Sequence, residues 1–258
     1  MMQHTFIPLE VFDKEIEQNE KTLEKADMLQ LFAAAPPPIS YDLTTYCTFC
    51  YNQGPIGMCV PCTICAAIRI TDPKSTFFPS PLQLYINVLK ATNRGMLQDI
   101  GSDAMDVCGV LQRLGVCSEA AMVGKVFPSE PSPESMAEAA LHKYSGFQNI
   151  TPKDNFFNAI KASIFAMTPV AISFWVPTSF DRIKQDGIMP LPKNNEERKG
   201  GHTCLILKYN SSHVTILNSW GDQWGKRGYF KMPIEFFNST YHGYRYVRQL
   251  VVLRSIKP

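Results

Sequence analysis

No run in this chain approaches the roughly 20 apolar residues needed to span a bilayer, and charge of neither sign accumulates. Its 258 residues hold 25 Lys and Arg against 23 Asp and Glu, for a formal net charge of +2. An excess that small argues against nucleic acid or a membrane surface as a partner. The segment Met1 to Glu10 lacks the basic start and apolar stretch of a secretory signal. Internal repeats and low-complexity tracts are also missing. The composition that remains, 45% hydrophobic and 19% charged, is ordinary for a globular protein. The length suits one domain or two closely packed lobes.

Histidines number only five, whereas cysteines number eight. Without a secretory signal, an even cysteine count is weak evidence for disulfides, so the thiols are read as mostly reduced. Asn149, Asn210 and Asn238 begin Asn-x-Ser/Thr triplets, which carry weight only in a secreted chain.

Residues 11 to 32 form a charged stretch with Phe12, Ile16, Leu23, Met28 and Leu31 as an intermittent apolar face, which predicts a helix. Pro36-Pro37-Pro38 then breaks it with a stiff linker. Residues 1 to 38 are therefore expected to be an N-terminal helical extension. It either packs on the body as an ordinary amphipathic helix or serves as a removable, groove-covering pro-segment. Residues 39 to 258 are expected to be the folded body.

Helix starts are legible in the first part of that body. Ser80-Pro81, Ser102 and Ser132-Pro133 each open an apolar-periodic run, and Leu114-Gly115 closes one. Asp154 is expected to open another, through Phe157, Ile160 and Ile164. After Pro169 the texture changes to short β-branched and aromatic runs. These are Val170 to Trp175, Thr203 to Tyr209, His213 to Leu217, Gly228 to Met232 and Gln249 to Arg254. Helices followed by an antiparallel sheet make an α+β fold, with a cleft between two lobes as the natural place for a site.

Two distant segments carry chemistry. Gln53-Gly54-Pro55-Ile56-Gly57-Met58-Cys59 runs into a predicted helix over 60–70, with Pro61 tolerated in its first turn. A thiol there feels the partial positive charge of a helix N-terminus, which favours the thiolate. Gly201-His202 leads into an apolar strand, and Asn218-Ser219-Trp220-Gly221 follows sixteen residues after the histidine. Two adjacent strands could bring the imidazole to the amide, with Trp220 shielding their contact from water. A thiol, an imidazole, an amide to orient it and an amide donor at Gln53 are the parts of a cysteine nucleophile for acyl transfer.

These residues resemble the papain-like cysteine peptidases over most of residues 40 to 258. Gln53-Gly54-x-x-Gly57-x-Cys59 is similar to the oxyanion and nucleophile motif, and Gly201-His202 to the histidine motif. Asn218-Ser219-Trp220-Gly221-x-x-Trp224-Gly225-x-x-Gly228-Tyr229-Phe230 is the most specific segment. Ser80-Pro81-Leu82-Gln83 and Gly115-Val116-Cys117-Ser118-Glu119 resemble further family positions. The stretch from Phe180 to His202 is most like non-secreted relatives in microbes and large DNA viruses. In this family His and Asn follow the Cys by about 130–150 residues; His202 lies 143 on and Asn218, slightly outside, 159 on. The resemblance implies a helical lobe, a β-barrel-like lobe and a cleft between them. It also implies Cys59 as nucleophile, His202 as acid/base, Asn218 as its orienter and Gln53 as oxyanion donor. The expected substrate is a peptide or protein, with no cofactor, nucleic acid or membrane partner. An intracellular or virion-associated location is expected over secretion.

The chain departs from the family in three places. Ile56 stands where secreted members carry a disulfide-bonded Cys, and Val60 where they have Trp. Residues 1 to 38 do not resemble the long family propeptide.

Other readings compete. Cys47-x-x-Cys50 and Cys59-x-x-Cys62, eight residues apart, could hold zinc in a non-catalytic binding protein, although that would quench Cys59. A redox role for a CxxC pair lacks the βαβ context it would need. A peptide transamidase or ligase would share the acyl-enzyme and differ only in the acceptor.

Overall fold

The computed structural model describes residues 6–7, 36–92, 97–150, 156–183 and 186–256. The predicted helix over 11–32 lies outside them, as does Asp154. After Tyr41–Asp42 (β1), the helices are Cys59–Thr71 (α1), Pro81–Thr92 (α2), Ala104–Leu114 (α3), Pro133–Leu141 (α4) and Phe156–Phe165 (α5). Strand β2, Ser145–Ile150, lies between the last two. The remaining strands are Val170–Pro177 (β3), Arg198–Tyr209 (β4), His213–Leu217 (β5), Tyr229–Pro233 (β6), Thr240–Tyr241 (β7), Tyr244–Arg245 (β8) and Val247–Ile256 (β9). Among the described residues no helix is long and apolar enough to cross a membrane.

Local chemistry explains most helix ends. Ser132 caps α4 by accepting from Ser135 N at 3.2 Å, with Pro133 at the first helical position. At α3 the cap is Asp103 rather than the expected Ser102. Its carboxylate accepts from Met105 N at 2.7 Å and Asp106 N at 3.4 Å. Gly115 ends that helix at φ 78°, and a Cβ there would lie 1.8 Å from the Ala139 carbonyl oxygen. Only glycine fits that position.

The main sheet runs β2-β9-β3-β4-β5-β6, with β1 pairing on β4, and its neighbours are antiparallel. The five expected strands are all present. Strand β2, read from sequence as part of the helical half, instead joins the sheet beside β9. Its six residues carry a glycine and show only partial burial, so they lack the strong alternation that marks a strand.

Helix α1 is the hinge of the architecture. Cys59 through Ile68 are all buried, and so is Ile70, so this helix is a core element packed against α2, α3, β3, β4 and β9. Thr63 on α1 donates through Oγ1 to the Thr203 carbonyl on β4 at 2.9 Å. That bond joins the helical lobe to the sheet lobe one residue from His202. The eight cysteines are free thiols.

Candidate active site

Cys59 is the first residue of α1, and Met58 precedes it without a side-chain cap. An uncapped N-terminus leaves backbone N–H groups directed at the nucleophile position. The thiol is fully buried and lies against the backbone of Thr203, the residue after His202. On β4, His202 is also fully buried. Its Nε2 lies 2.8 Å from Asn218 Oδ1, at the end of β5. The same Oδ1 accepts from Ser219 N at 2.9 Å and from Cys204 Sγ at 3.5 Å. An amide oxygen held from three sides has one orientation available to it. Because Asn218 presents oxygen, Nε2 is the ring nitrogen that carries hydrogen.

Trp220 stacks on the imidazole at 5.1 Å between centroids and 30° between planes. Phe180 and Trp224 meet Trp220 edge-on at 5.7 Å and 5.1 Å. This aromatic wall keeps water from the His202–Asn218 bond, where a low local dielectric strengthens it.

Gln53 reaches the same cluster from the turn before α1. Its backbone N–H donates to the Ser219 carbonyl at 2.8 Å. Its Oε1 accepts from Ser219 Oγ at 2.6 Å, and its Nε2 donates to the Ile56 carbonyl at 2.8 Å. Asn52 bridges antiparallel to Trp220 alongside. Gln53, His202 and Asn218 are thus joined through Ser219, with Cys59 against the next residue of β4. Sequence reasoning quoted Ser219 inside its motif without a role; its hydroxyl is what decides which end of the Gln53 amide faces the turn.

Phe6 and Ile7 were also missed. Ile7 pairs antiparallel with Gly201, donating to its carbonyl at 2.9 Å and accepting from its N–H at 2.8 Å. The Phe6 ring meets His202 at 5.8 Å and Trp220 at 5.7 Å, both edge-on. Lys199 Nζ lies 5.4 Å from the centre of that ring. A Cβ on Gly200 would fall 2.7 Å from the Ile7 carbonyl oxygen and 2.7 Å from Phe6 Cβ, and one on Gly101 would fall 2.8 Å from the Ile7 side chain. The sequence signal was an apolar pair among other scattered apolar residues, too short to separate from chance.

Under this cover the electrostatics differ from expectation. Burial pushes the Cys59 thiol up to about 12. Hydrogen bonds from the backbone of Thr203, Val60 and Cys59 itself pull it down, and the charge of Asp99 adds to the rise. The helix terminus and its N–H groups do favour the thiolate, but desolvation outweighs them here.

The zinc reading fails on geometry. Among the described residues no three of His, Cys, Asp and Glu gather as a metal would require. Cys47, Cys50, Cys59 and Cys62 do not form a ligand set. Cys59 and Cys62 lie in the core helix, while Cys47 and Cys50 line a separate cavity of about 570 Å³ with Asp222, Arg227 and Tyr229.

A sequence profile of the papain family cysteine proteases matches residues 110–240, half the chain, including His202 and Asn218. This protein belongs to that family. An uncharacterized peptidase C1-like protein of Acanthamoeba polyphaga mimivirus is 30% identical over 200 residues, spanning 72% of this chain and 64% of the viral protein's own length. Xylellain, a cysteine protease from Xylella fastidiosa, superposes with a TM-score of 0.76 at 27% identity, covering 92% of this chain and 91% of its own. A Carica candamarcensis cysteine protease shares the fold, with a TM-score of 0.61 at 19% identity over 85% of this chain and 100% of its own. The fold is the papain-like α+β arrangement of two lobes.

Proposed function

We propose that this protein hydrolyses peptide bonds through a thioester formed on Cys59. The observation that carries the reading is the buried His202 Nε2–Asn218 Oδ1 contact of 2.8 Å, set on the strand whose next residue meets the Cys59 thiol. With Nε2 committed to Asn218, proton traffic runs through Nδ1. That nitrogen takes the thiol proton and returns it to the leaving amine. The Cys59 sulfur attacks the scissile carbonyl, the amine departs, and water then releases the acid. Gln53 Nε2 carries two hydrogens. One is placed on Ile56 O, and the other is assigned to the oxyanion together with the Cys59 backbone N–H. Cys59→Ala should abolish both peptide turnover and labelling by a thiol-directed epoxide. Normal turnover in that variant, with loss in Cys62→Ala, would overturn the assignment.

The same reading makes the N-terminal segment a restraint. Phe6 and Ile7 occupy the space over His202 and Gly201, and both backbone polar groups of Ile7 are spent on Gly201. Burial also pushes the Cys59 thiol up, and in this reading the cover contributes to that burial. Displacing or cutting residues 1 to 38 activates the enzyme.

A further inference from the structure

The turn that presents Cys59 is held from an unexpected side. Asp99 lies in the segment between α2 and α3, half-buried. Its Oδ1 accepts from Gly57 N at 2.9 Å and from Tyr85 Oη at 2.6 Å, and its Oδ2 lies 3.2 Å from the same Gly57 N. Tyr85 Oη in turn accepts from Gly101 N at 3.0 Å. Tyr85 is fully buried on α2, so the chain Gly57–Asp99–Tyr85–Gly101 is anchored in the core. The approach is close: a Cβ on Gly57 would fall 2.9 Å from Asp99 Oδ1 and 3.2 Å from Gly101 N.

We propose that Asp99 is a positioning residue for Cys59, acting through the Gly57 N–H two residues before it; this rests on the reading of Cys59 as nucleophile. The turn 54–58 carries no cysteine, and the eight cysteines of the chain are free thiols, so no disulfide ties it. Gln53 fixes this turn at the Ile56 carbonyl, Asp99 fixes it at the next N–H, and the thiol follows at the helix start. Misplacing a nucleophile by about 1 Å costs about a hundredfold in rate. The clamp carries an electrostatic cost. The Asp99 charge adds to the rise in the Cys59 thiol and in the Tyr85 phenol. Geometry and charge therefore pull in opposite directions, and two substitutions separate them. Asn keeps an oxygen where Oδ1 sits and removes the charge, whereas Ala removes both.

The test compares full-length Asp99→Asn, Asp99→Ala and Tyr85→Phe with the parent, kcat being normalised to the titratable Cys59 thiol. All carry the same N-terminal segment, and because Gly101 of this cluster lies against Ile7, the alkylation rate of Cys59 in each variant shows whether the cover has shifted. Asp99→Ala should lower kcat at least tenfold with KM changed less than threefold. Asp99→Asn should stay within threefold of parental kcat and move the acid limb of its kcat/KM profile to lower pH. An Ala variant as fast as the parent, an Asn variant as slow as Ala, or an unmoved limb in Asn would each overturn the proposal. If Asp99→Ala does not fold, Tyr85→Phe decides by the same kcat criterion at a loss of threefold or more. Amide exchange across 53–59 is an independent readout: protection should fall in Asp99→Ala and persist in Asp99→Asn, and equal protection in both would sink the clamp. If Cys59→Ala retains parental activity, the peptidase reading falls instead, and exchange alone then judges Asp99.

Discussion

His202 and Asn218 meet at 2.8 Å through Nε2 and Oδ1, with neither side chain open to solvent. A neutral amide cannot exchange protons usefully near neutral pH, so its work is to hold the ring in one tautomer and rotamer. Removing the acid/base itself forfeits a contribution of about 10²–10⁴ in rate. His202→Ala should therefore lose at least that much kcat, and Asn218→Ala distinctly less. Steady-state kinetics on the two variants rank them, and the reverse ranking would mean that another group partners the histidine.

Gln53 is predicted to act on the transition state rather than on substrate binding. Loss of one oxyanion donor costs about 10²–10³ in kcat, roughly 2.7–4 kcal/mol. Gln53→Ala should fall in that range with KM little changed. Ser219→Ala frees the amide that Ser219 Oγ holds at 2.6 Å and should show a smaller loss of the same kind. Parental kcat in Gln53→Ala would remove this residue from the mechanism.

The motifs around Cys59, His202 and Asn218 were legible because each combines a chemical group with local punctuation: glycines before a helix, an apolar strand after the histidine, Trp and Gly after the amide. Strands β3 to β6 were equally readable from their β-branched runs. What could not be read depends on contacts between segments distant in sequence. Asp103 displaced Ser102 as a cap because two acceptable residues stood side by side, and only backbone angles choose between them. Strand β2 gains its identity from pairing with β9, about a hundred residues away. The role of Ser219 requires Gln53, and that of Asp99 requires Gly57. The upward pull of burial on the Cys59 thiol was not legible either, because helix position is a local fact, whereas burial is not.

The cover over the site can be moved without shortening the chain. The nearest atoms to a Cβ at Gly200 all belong to Phe6 and Ile7, so Gly200→Ala strains the N-terminal contact and spares the body. In the full chain this variant should be alkylated at Cys59 by iodoacetamide severalfold faster than the parent, with kcat/KM raised in the same direction. A chain beginning at Ile39 should go further, because tethering gives the segment a high effective concentration. Equal alkylation rates in all three would make the segment structural rather than restraining.

Stability should also report the buried thiol. Burial pushes Cys50, Cys59 and Cys117 each up to about 12, while an unfolded cysteine loses its proton near about 8.5. Between those values the unfolded chain binds fewer protons than the folded one. The slope of unfolding free energy with pH is therefore negative. Stability is fully present below about pH 8 and is lost as pH rises from about 9 toward 12. Buried tyrosines such as Tyr144, raised to about 12, add to the parental slope, so the informative quantity is a difference between variants. Cys59→Ser replaces the thiol by a hydroxyl that does not titrate in this range, and it should flatten the slope by up to about 1.4 kcal/mol per pH unit. Urea unfolding of parent and variant at pH 8, 9 and 10 measures it. The same slope in both proteins would mean that folding leaves the Cys59 thiol near its unfolded value, and a more positive slope in the parent that Cys59 is already a thiolate; either result would mean that drying the nucleophile is no part of its restraint.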